Sequence, residues 1–520
     1  MSSQASASAA EVPRGSGGRV MRPRLRVGSS YQGKDLPVVS IVWLRDDLRT
    51  ADNPALLSAV HNSAVHNGGA VALYVLDEES PGIRPLGAAA KWWLHHALQT
   101  LRQDLEALGI PLVLLRGPAA EAVPAFMQEA GAEGIFWNRR YGGPEREVDT
   151  AVKEWAAGAG VHAESFQASL LHEPWTVRTG GGGGGPYRVF TPFWRMVSAM
   201  DFRAPLSAPD KLSASDSAAA DGIPAGEDLE SWNLLPKHPD WSAGLAEAWT
   251  PGEEAGLAAL GDFLAGPVQN YDDGRDRPAK PGTSRLSPYL RWGHVSPFQV
   301  WHELSRVRGN GPGPDVFGTE IGWREFCWHQ LFHNPDLATK NLRPAFDGFP
   351  WEHPEGAGPQ TPKILRGEDA HAPFESLPDD LDPLDAWKAG LTGIPLVDAG
   401  QRQLWHMGWM HNRVRMVAAS FLIKNLGIHW RVGEEWFWET LVDADPASNP
   451  ANWQWVAGSG ADAAPFFRIF NPQTQAKRFD PEGGYVSRWV PDALTPAYPE
   501  PLVDLAESRR HALEAYESIR

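Results

Sequence analysis

The stretch richest in reactive side chains is Asp443-Ala444-Asp445-Pro446, followed by Asn449, Trp453 and Trp455. It reads as a polar turn with aromatic walls. A Ca²⁺ loop also uses Asp-x-Asp, but an EF-hand needs Gly at its sixth position and Glu at its twelfth. Ser448 and Gln454 stand there instead. A second group is Asn412, Arg415 and Met416, which share one helix face at i, i+3 and i+4. They lie in 399–433, which holds five Lys/Arg and no Asp or Glu. That is the local basic patch a phosphate backbone requires. A solvated basic helix is the plainer alternative, but the Trp and Met residues of the same stretch suit a lined pocket better. Glu320 and Trp323 are three apart, so a carboxylate sits beside an indole on one helix face. Such a pair can bind and stack on a base; a half-buried Trp beside a surface ion pair is the alternative. Last, Thr283-Ser284-Arg285-Leu286-Ser287 offers hydroxyls and backbone N–H groups in a turn, which suits a phosphate. The same residues can instead cap the following helix.

These groups need a scaffold. Residues 37–44, 70–76, 111–115 and 134–137 are short apolar runs that read as buried strands. Residues 88–108 and 119–130 between them have helical periodicity, the first ending at Gly109. Alternating strands and helices predict an α/β domain with a parallel sheet over 36–170. No GxGxxG follows the first strand, so the dinucleotide fingerprint is missing. The glycine run 179–186 lacks the Lys and Ser/Thr of a phosphate-cradling loop and reads as flexible. Residues 171–251 are expected to be linker, most clearly the Ser/Ala/Asp/Pro-rich 200–228. Strand signals vanish from 252, so 252–510 is expected to be a large all-helical domain, followed by a short C-terminal end, 511–520. Pro/Asp/Gly-rich 352–383 reads as a surface insertion.

Composition narrows the class. The 520 residues carry a formal net charge of −17, which taken alone argues against a nucleic-acid partner. Net charge does not locate charge, so the basic stretch keeps that partner in play. Trp occurs 24 times, and large aromatic cores must account for many of them. Cys327 is the sole cysteine, which excludes an internal disulfide and any cysteine metal cluster. No apolar window is long enough for a transmembrane helix, and no secretory signal opens the chain. Residues 1–35 read as a disordered extension. Their composition fits an organellar transit peptide, a plain bacterial extension or a start misassigned ahead of Met21.

Seven blocks together resemble the photolyase/cryptochrome flavoproteins, most closely class I and related cyclobutane pyrimidine dimer photolyases. They are WLRDDLRTADNPAL (43–56), PYRVFTPFW (186–194), GTSRLSPYLRWG (282–293), GWREF (322–326), GWMHNRVRM (408–416), DADPASNPANWQW (443–455) and RIFNPQTQ (468–475). They span 37–510 in the family's order and spacing.

The resemblance implies FAD in the helical domain. Tyr271, Thr283, Ser284, Arg285, Leu286 and Ser287 would meet its phosphates. Arg324, Trp409, Arg415, Asp443, Ala444 and Asp445 would line the rest, and Asn449 would sit at the reactive ring nitrogen. Arg275, Glu320, Trp323, Cys327, Asn412, Arg413, Arg468 and Gln475 would face DNA, with Met416 and Trp455 touching a flipped-out dimer. Excited reduced FAD would donate an electron, the cyclobutane ring would split and the electron would return. This requires no metal, which accords with the solitary cysteine. It also requires no general acid or base, which accords with the missing Ser-His-Asp and Cys-His constellations. Glu320 and Asn449 count as catalytic residues, with Trp453, Trp430 and Trp351 as an electron relay. The partner would be damaged DNA, met by a monomer in a bacterial-type cytoplasm, with organellar targeting by 1–35 left open.

Two departures bear on these expectations. The outermost relay Trp of the family falls at Leu377 here, and Trp351 is the better match, displaced by the insertion. The carboxylate that folate-antenna members place after the fourth strand is missing, since Gly142 and Gly143 follow Tyr141. A folate or deazaflavin antenna therefore stays unassigned. The main alternative is a cryptochrome-type photoreceptor without repair. Plant-type cryptochromes typically carry Asp where Asn449 stands and signal through a long carboxyl tail, whereas this chain ends at Arg520. A (6-4)-photoproduct enzyme would show a His-His pair where His411-Asn412 stands. A simple electron-transfer flavoprotein leaves Met416, Trp455 and the basic stretch unexplained.

Overall fold

The structure is a computed structural model. It describes residues 39–66, 68–180, 183–213, 222–354, 360–362, 365, 381–463, 467–496 and 498–520. The expected extension 1–35, Gly181 and Gly182 of the glycine run, 214–221 of the Ser/Ala-rich stretch and most of the 352–383 insertion, Leu377 included, lie outside the described residues.

Strands β1 (Ser40–Leu44) and β2 (Ala70–Leu76) are buried at every position. Covered on both faces, they read in sequence as unbroken runs rather than alternating ones. With β3 (Leu112–Arg116), β4 (Gly134–Asn138) and β5 (His162–Phe166) they form a parallel sheet in the order β3-β2-β1-β4-β5. Helices α1 (Pro54–Val65), α2 (Ala88–Ala107), α3 (Ala119–Glu129) and α4 (Gly143–Ala159) make the crossovers.

The block 43–56 proves to be a polar knot. Asp47 accepts from the Arg45 N–H and the Asn138 amide, and Asn53 caps α1 by accepting from the Leu56 N–H at 3.1 Å. Arg49 donates to the Gly293 carbonyl at 2.9 Å, across to the helical half. Gly293 has φ +66°, and a Cβ there would stand 2.2 Å from the Asp46 carbonyl oxygen. Two of the blocks are thus interlocked through a position only glycine fits.

Residues 171–251 are not an open tether. They form α5 (Phe190–Val197) and shorter turns, and they bury Phe193, Val197, Leu229, Trp232, Leu245 and Trp249. Scattered Ser, Ala and Pro hide these anchors from a compositional reading. Within the insertion, Glu352 pairs with the chain at Gly427 and His429, and Leu365 is buried.

Val42, Tyr74, Trp92 and Trp93 share one apolar core with Trp249, Tyr289, Trp292 and Trp409 of the helical half. A second core gathers Trp387, Trp430, Trp436, Phe437 and Trp453. Aromatic packing accounts for many of the 24 Trp residues, and some buried indoles find acceptors: Trp249 at Met407 O (2.7 Å) and Trp292 at Val442 O (3.0 Å). Pro37–Arg520 forms one compact unit. Among the described residues no helix is long and apolar enough to cross a membrane.

The helices around the site are α6 (Pro312–His333), α7 (Pro395–Met407), α8 (Asn412–Ser420), α9 (Trp430–Thr440), α10 (Ser448–Ala457) and α11 (Pro472–Phe479).

Candidate active site

A cavity of about 470 Å³ opens among α6, α8, α10 and the turn that includes 441–445. From α6 it receives Glu320, Trp323, Arg324 and Cys327, and from α8 Asn412, Arg413, Arg415 and Met416. The 441–445 turn supplies Asp443, Ala444 and Asp445, and α10 supplies Asn449, Trp453 and Trp455. Tyr271, Arg275, Ser284, Leu286 and Ser287 complete the expected members of the wall. Segments far apart in sequence converge on one hole, of a size typical of a cofactor site.

The charged groups of the wall are paired. Arg415 reaches both oxygens of Asp443, at 2.9 and 3.1 Å, and donates through Nε to Met410 O at 2.7 Å. A buried ion pair persists when such extra hydrogen bonds satisfy it. Asp445 accepts from the Ala447 and Ser448 N–H groups at 2.9 and 2.6 Å, fixing the start of α10. Asn449 donates both amide N–H bonds to Glu434, to its main-chain oxygen at 3.0 Å and to Oε1 at 2.8 Å. Glu320 is paired with Arg275, and Arg413 with Asp276 at 2.6 Å. Burial pushes the Glu320 carboxyl above its ordinary range, and Arg275 opposes the shift. Burial pushes the Cys327 thiol up to about 12, so it is a packed, protonated wall residue and no nucleophile. Trp323 stacks on Phe190 at 3.7 Å.

Several expected residues stand outside the wall. Arg285 has φ +52°, and its guanidinium lies over Trp249 at 4.2 Å; it is not in the wall. Its positive φ breaks the side-chain alternation that a uniform turn suggests. Trp409 supports from behind, donating to the Ser287 hydroxyl at 3.3 Å. Thr283, Arg468 and Gln475 are not in the wall, although Arg468 lies over the Trp455 ring at 5.2 Å. Trp430 and Trp351 also lie outside it. Trp430 is fully buried, donating to Asn341 Oδ1 at 2.9 Å. Trp351 packs on His429 at 4.7 Å and is 8% exposed.

The 399–433 stretch is not a free basic face either. Arg402 pairs with Asp492, Arg413 with Asp276, Arg415 with Asp443 and Arg431 with Glu435, and Lys424 is buried on Ala457 O. The neutralising acids lie outside the stretch, where a local charge count does not see them.

Two residues escaped the sequence reading. Arg291 lines the cavity, donating to Ala444 O at 2.6 Å and to Asp46 at 2.7 Å. Its signal was an arginine inside the apolar PYLRWG run. Glu434, the first acid after the acid-free stretch, is 1% exposed and holds Asn449.

Residues 40–210 match the family described as DNA photolyase, and residues 317–495 match the FAD binding domain of DNA photolyase. A deoxyribodipyrimidine photo-lyase of Agrobacterium fabrum is 45% identical over 515 residues, covering 94% of this chain and 99% of the relative. The chain belongs to the DNA photolyase family. Within that photolyase family, its fold is similar to a class III photolyase from Agrobacterium tumefaciens, with TM-score 0.82 and 43% identity over 95% of this chain and 99% of the other. That likeness falls on the related branch of the expectation rather than on class I. Cryptochrome-1 of Arabidopsis thaliana is 35% identical over 87% of this chain and 63% of its own length.

Proposed function

We propose that this chain repairs cyclobutane pyrimidine dimers in DNA under light, with FAD in the cavity. One observation carries the reading: a single hole is lined by the hydrogen-bonded Arg415–Asp443 pair and the buried Asn449 together with the half-buried Glu320, Trp323, Met416 and Trp455. The donor set fits the cofactor. Tyr271 and the Ser284 and Ser287 hydroxyls would hold phosphates, and Arg415, Asp443 and Asn449 would meet polar edges of the ring system. When bound, FAD would supply the light-driven electron that opens the cyclobutane ring and is afterwards returned. The chain's own work is to orient and to exclude water, through Phe326, Phe437 and Trp453 in the wall.

Enzymes that act on a base in duplex DNA extrude it, and photolyases are among them. Met416 and Trp455 would receive the extruded pair, and Glu320 can hydrogen-bond a base edge. Asn449, where plant-type cryptochromes carry Asp, favours repair over a signalling role. The working form would be a cytoplasmic monomer. No residue is assigned to an antenna chromophore.

The deciding experiment is repair of a thymine-dimer oligonucleotide by FAD-loaded protein under blue light, against a dark control. Light-dependent loss of the dimer is expected, and equal yields in light and dark overturn the reading.

DNA binding should be salt-dependent but carried by few cations. Among the described residues Arg468, Lys477 and Arg478 form no ion pair, unlike the arginines of 399–433. Each phosphate neutralised contributes about −0.9 to the log–log salt slope. Arg468→Ala should therefore flatten the slope by about one unit, read by titrations at several salt concentrations. An unchanged slope removes Arg468 from the DNA face.

A further inference from the structure

The amide of Asn449 is oriented by its neighbour. Both of its N–H bonds end on Glu434, one on the main-chain oxygen at 3.0 Å and one on Oε1 at 2.8 Å. Turned over, the amide would set its own oxygen against two acceptors. Only Oδ1 is left to face the cavity, and it can only accept. Glu434 is itself fixed: Arg84 grips both carboxylate oxygens at 2.8 and 3.0 Å. Arg84 belongs to the loop after β2. Its guanidinium lies over the Trp438 ring at 4.2 Å, and Trp438 donates back to Pro85 O at 2.8 Å. The loop of the α/β half therefore clamps α9, and α9 orients the first turn of α10.

We propose that Arg84 and Glu434 are positioning residues that hold the Asn449 carbonyl oxygen toward the cavity and thereby bias the bound flavin toward its reduced form. The inference rests on the proposed place of Asn449 at the reactive ring nitrogen. A fixed acceptor there favours a nitrogen that carries a proton over one that presents a lone pair. Freeing the amide lets it turn and offer a donor, which removes the preference.

The test is a double-mutant cycle on FAD-loaded full-length protein, read by spectroelectrochemical titration with flavin content as a control. Asn449→Ala and Glu434→Leu should each lower the ratio of reduced to oxidised flavin at fixed potential about tenfold, the size of one hydrogen bond. Combined, they should give little more than either alone, because Glu434 acts through Asn449. Glu434→Gln should shift the ratio in the same direction by less. Arg84→Met changes a partly exposed residue, and it carries the test if Glu434→Leu does not fold. A Glu434 or Arg84 effect that persists undiminished in the Asn449→Ala background, or no effect beside a clear one from Asn449→Ala, overturns the inference alone. No shift from Asn449→Ala overturns the placement of Asn449 and the inference with it.

Discussion

Trp453→Phe should abolish photoreduction of oxidised FAD while repair by pre-reduced protein stays nearly unchanged. Trp453 is 2% exposed and forms part of the cavity wall, so its indole is the nearest relay candidate to the cofactor site. Its ring lies directly on α9 at Gly433, where a Cβ would stand 2.2 Å from the indole. Trp430 is one turn before Gly433 on the same face of α9, and both indoles belong to one apolar core. Repair returns its electron and needs no supply from outside; recovery of an oxidised flavin does. Trp430→Phe should behave as Trp453→Phe. Trp351→Phe is the discriminating variant, because Trp351 is buried and reaches Trp430 by way of His429, at ring distances of 4.7 and 5.5 Å. A slowed reaction makes Trp351 the third member, and an unchanged rate sends the hop from Trp430 along another route. Loss of flavin together with thermal stability in all three variants would mean that these indoles only fill the core.

Trp455→Ala should weaken binding of dimer-containing DNA ten- to a hundredfold, with full flavin content. Stacking of a base on an aromatic ring is worth ~1–3 kcal/mol. Trp455 is half-buried in the cavity wall, and the Arg468 guanidinium over its ring can reach a phosphate beside a stacked base. Met416→Ala should act in the same direction by less, because a thioether gives up less contact area. Electrophoretic mobility shifts with damaged and undamaged duplexes, set beside flavin absorbance, separate the cases. Equal loss of flavin in both variants would assign the two side chains to the core instead.

The parts legible in the sequence are those whose environment is uniform along the chain. β1 and β2 are covered on both faces and show as continuous apolar runs. β5, His162–Phe166, is an edge strand of mixed polarity, and its pattern carries no such signal. α4 begins at Gly143 after the N-cap Gly142, with Pro144 in its first turn and no side-chain cap, a sequence that reads as a break. The same contrast governs the site. The seven blocks marked most of the wall, because each wall segment is short and locally dense in polar and aromatic residues. What they missed depends on partners remote in sequence: Asp276 on Arg413, Asp492 on Arg402, and Arg84 beneath Glu434 and Asn449. Arg285 stands apart for a different reason, a left-handed backbone at one position of the loop.

One apolar core joins the sheet to the helical half. Trp93, for example, packs against Trp249 and Tyr289 and donates to His294 at 3.0 Å. Under the proposed function, a cavity framed by that packing would leave much of the mechanical work of engagement to the nucleic acid. The duplex would have to bend and release two adjacent pyrimidines of one strand into the cavity. The energy of that deformation depends on how strongly the pair is stacked and paired at the start. A fused, distorted pair has already lost part of that stability, so discrimination begins in the elasticity of the DNA, before any side chain reads a base edge.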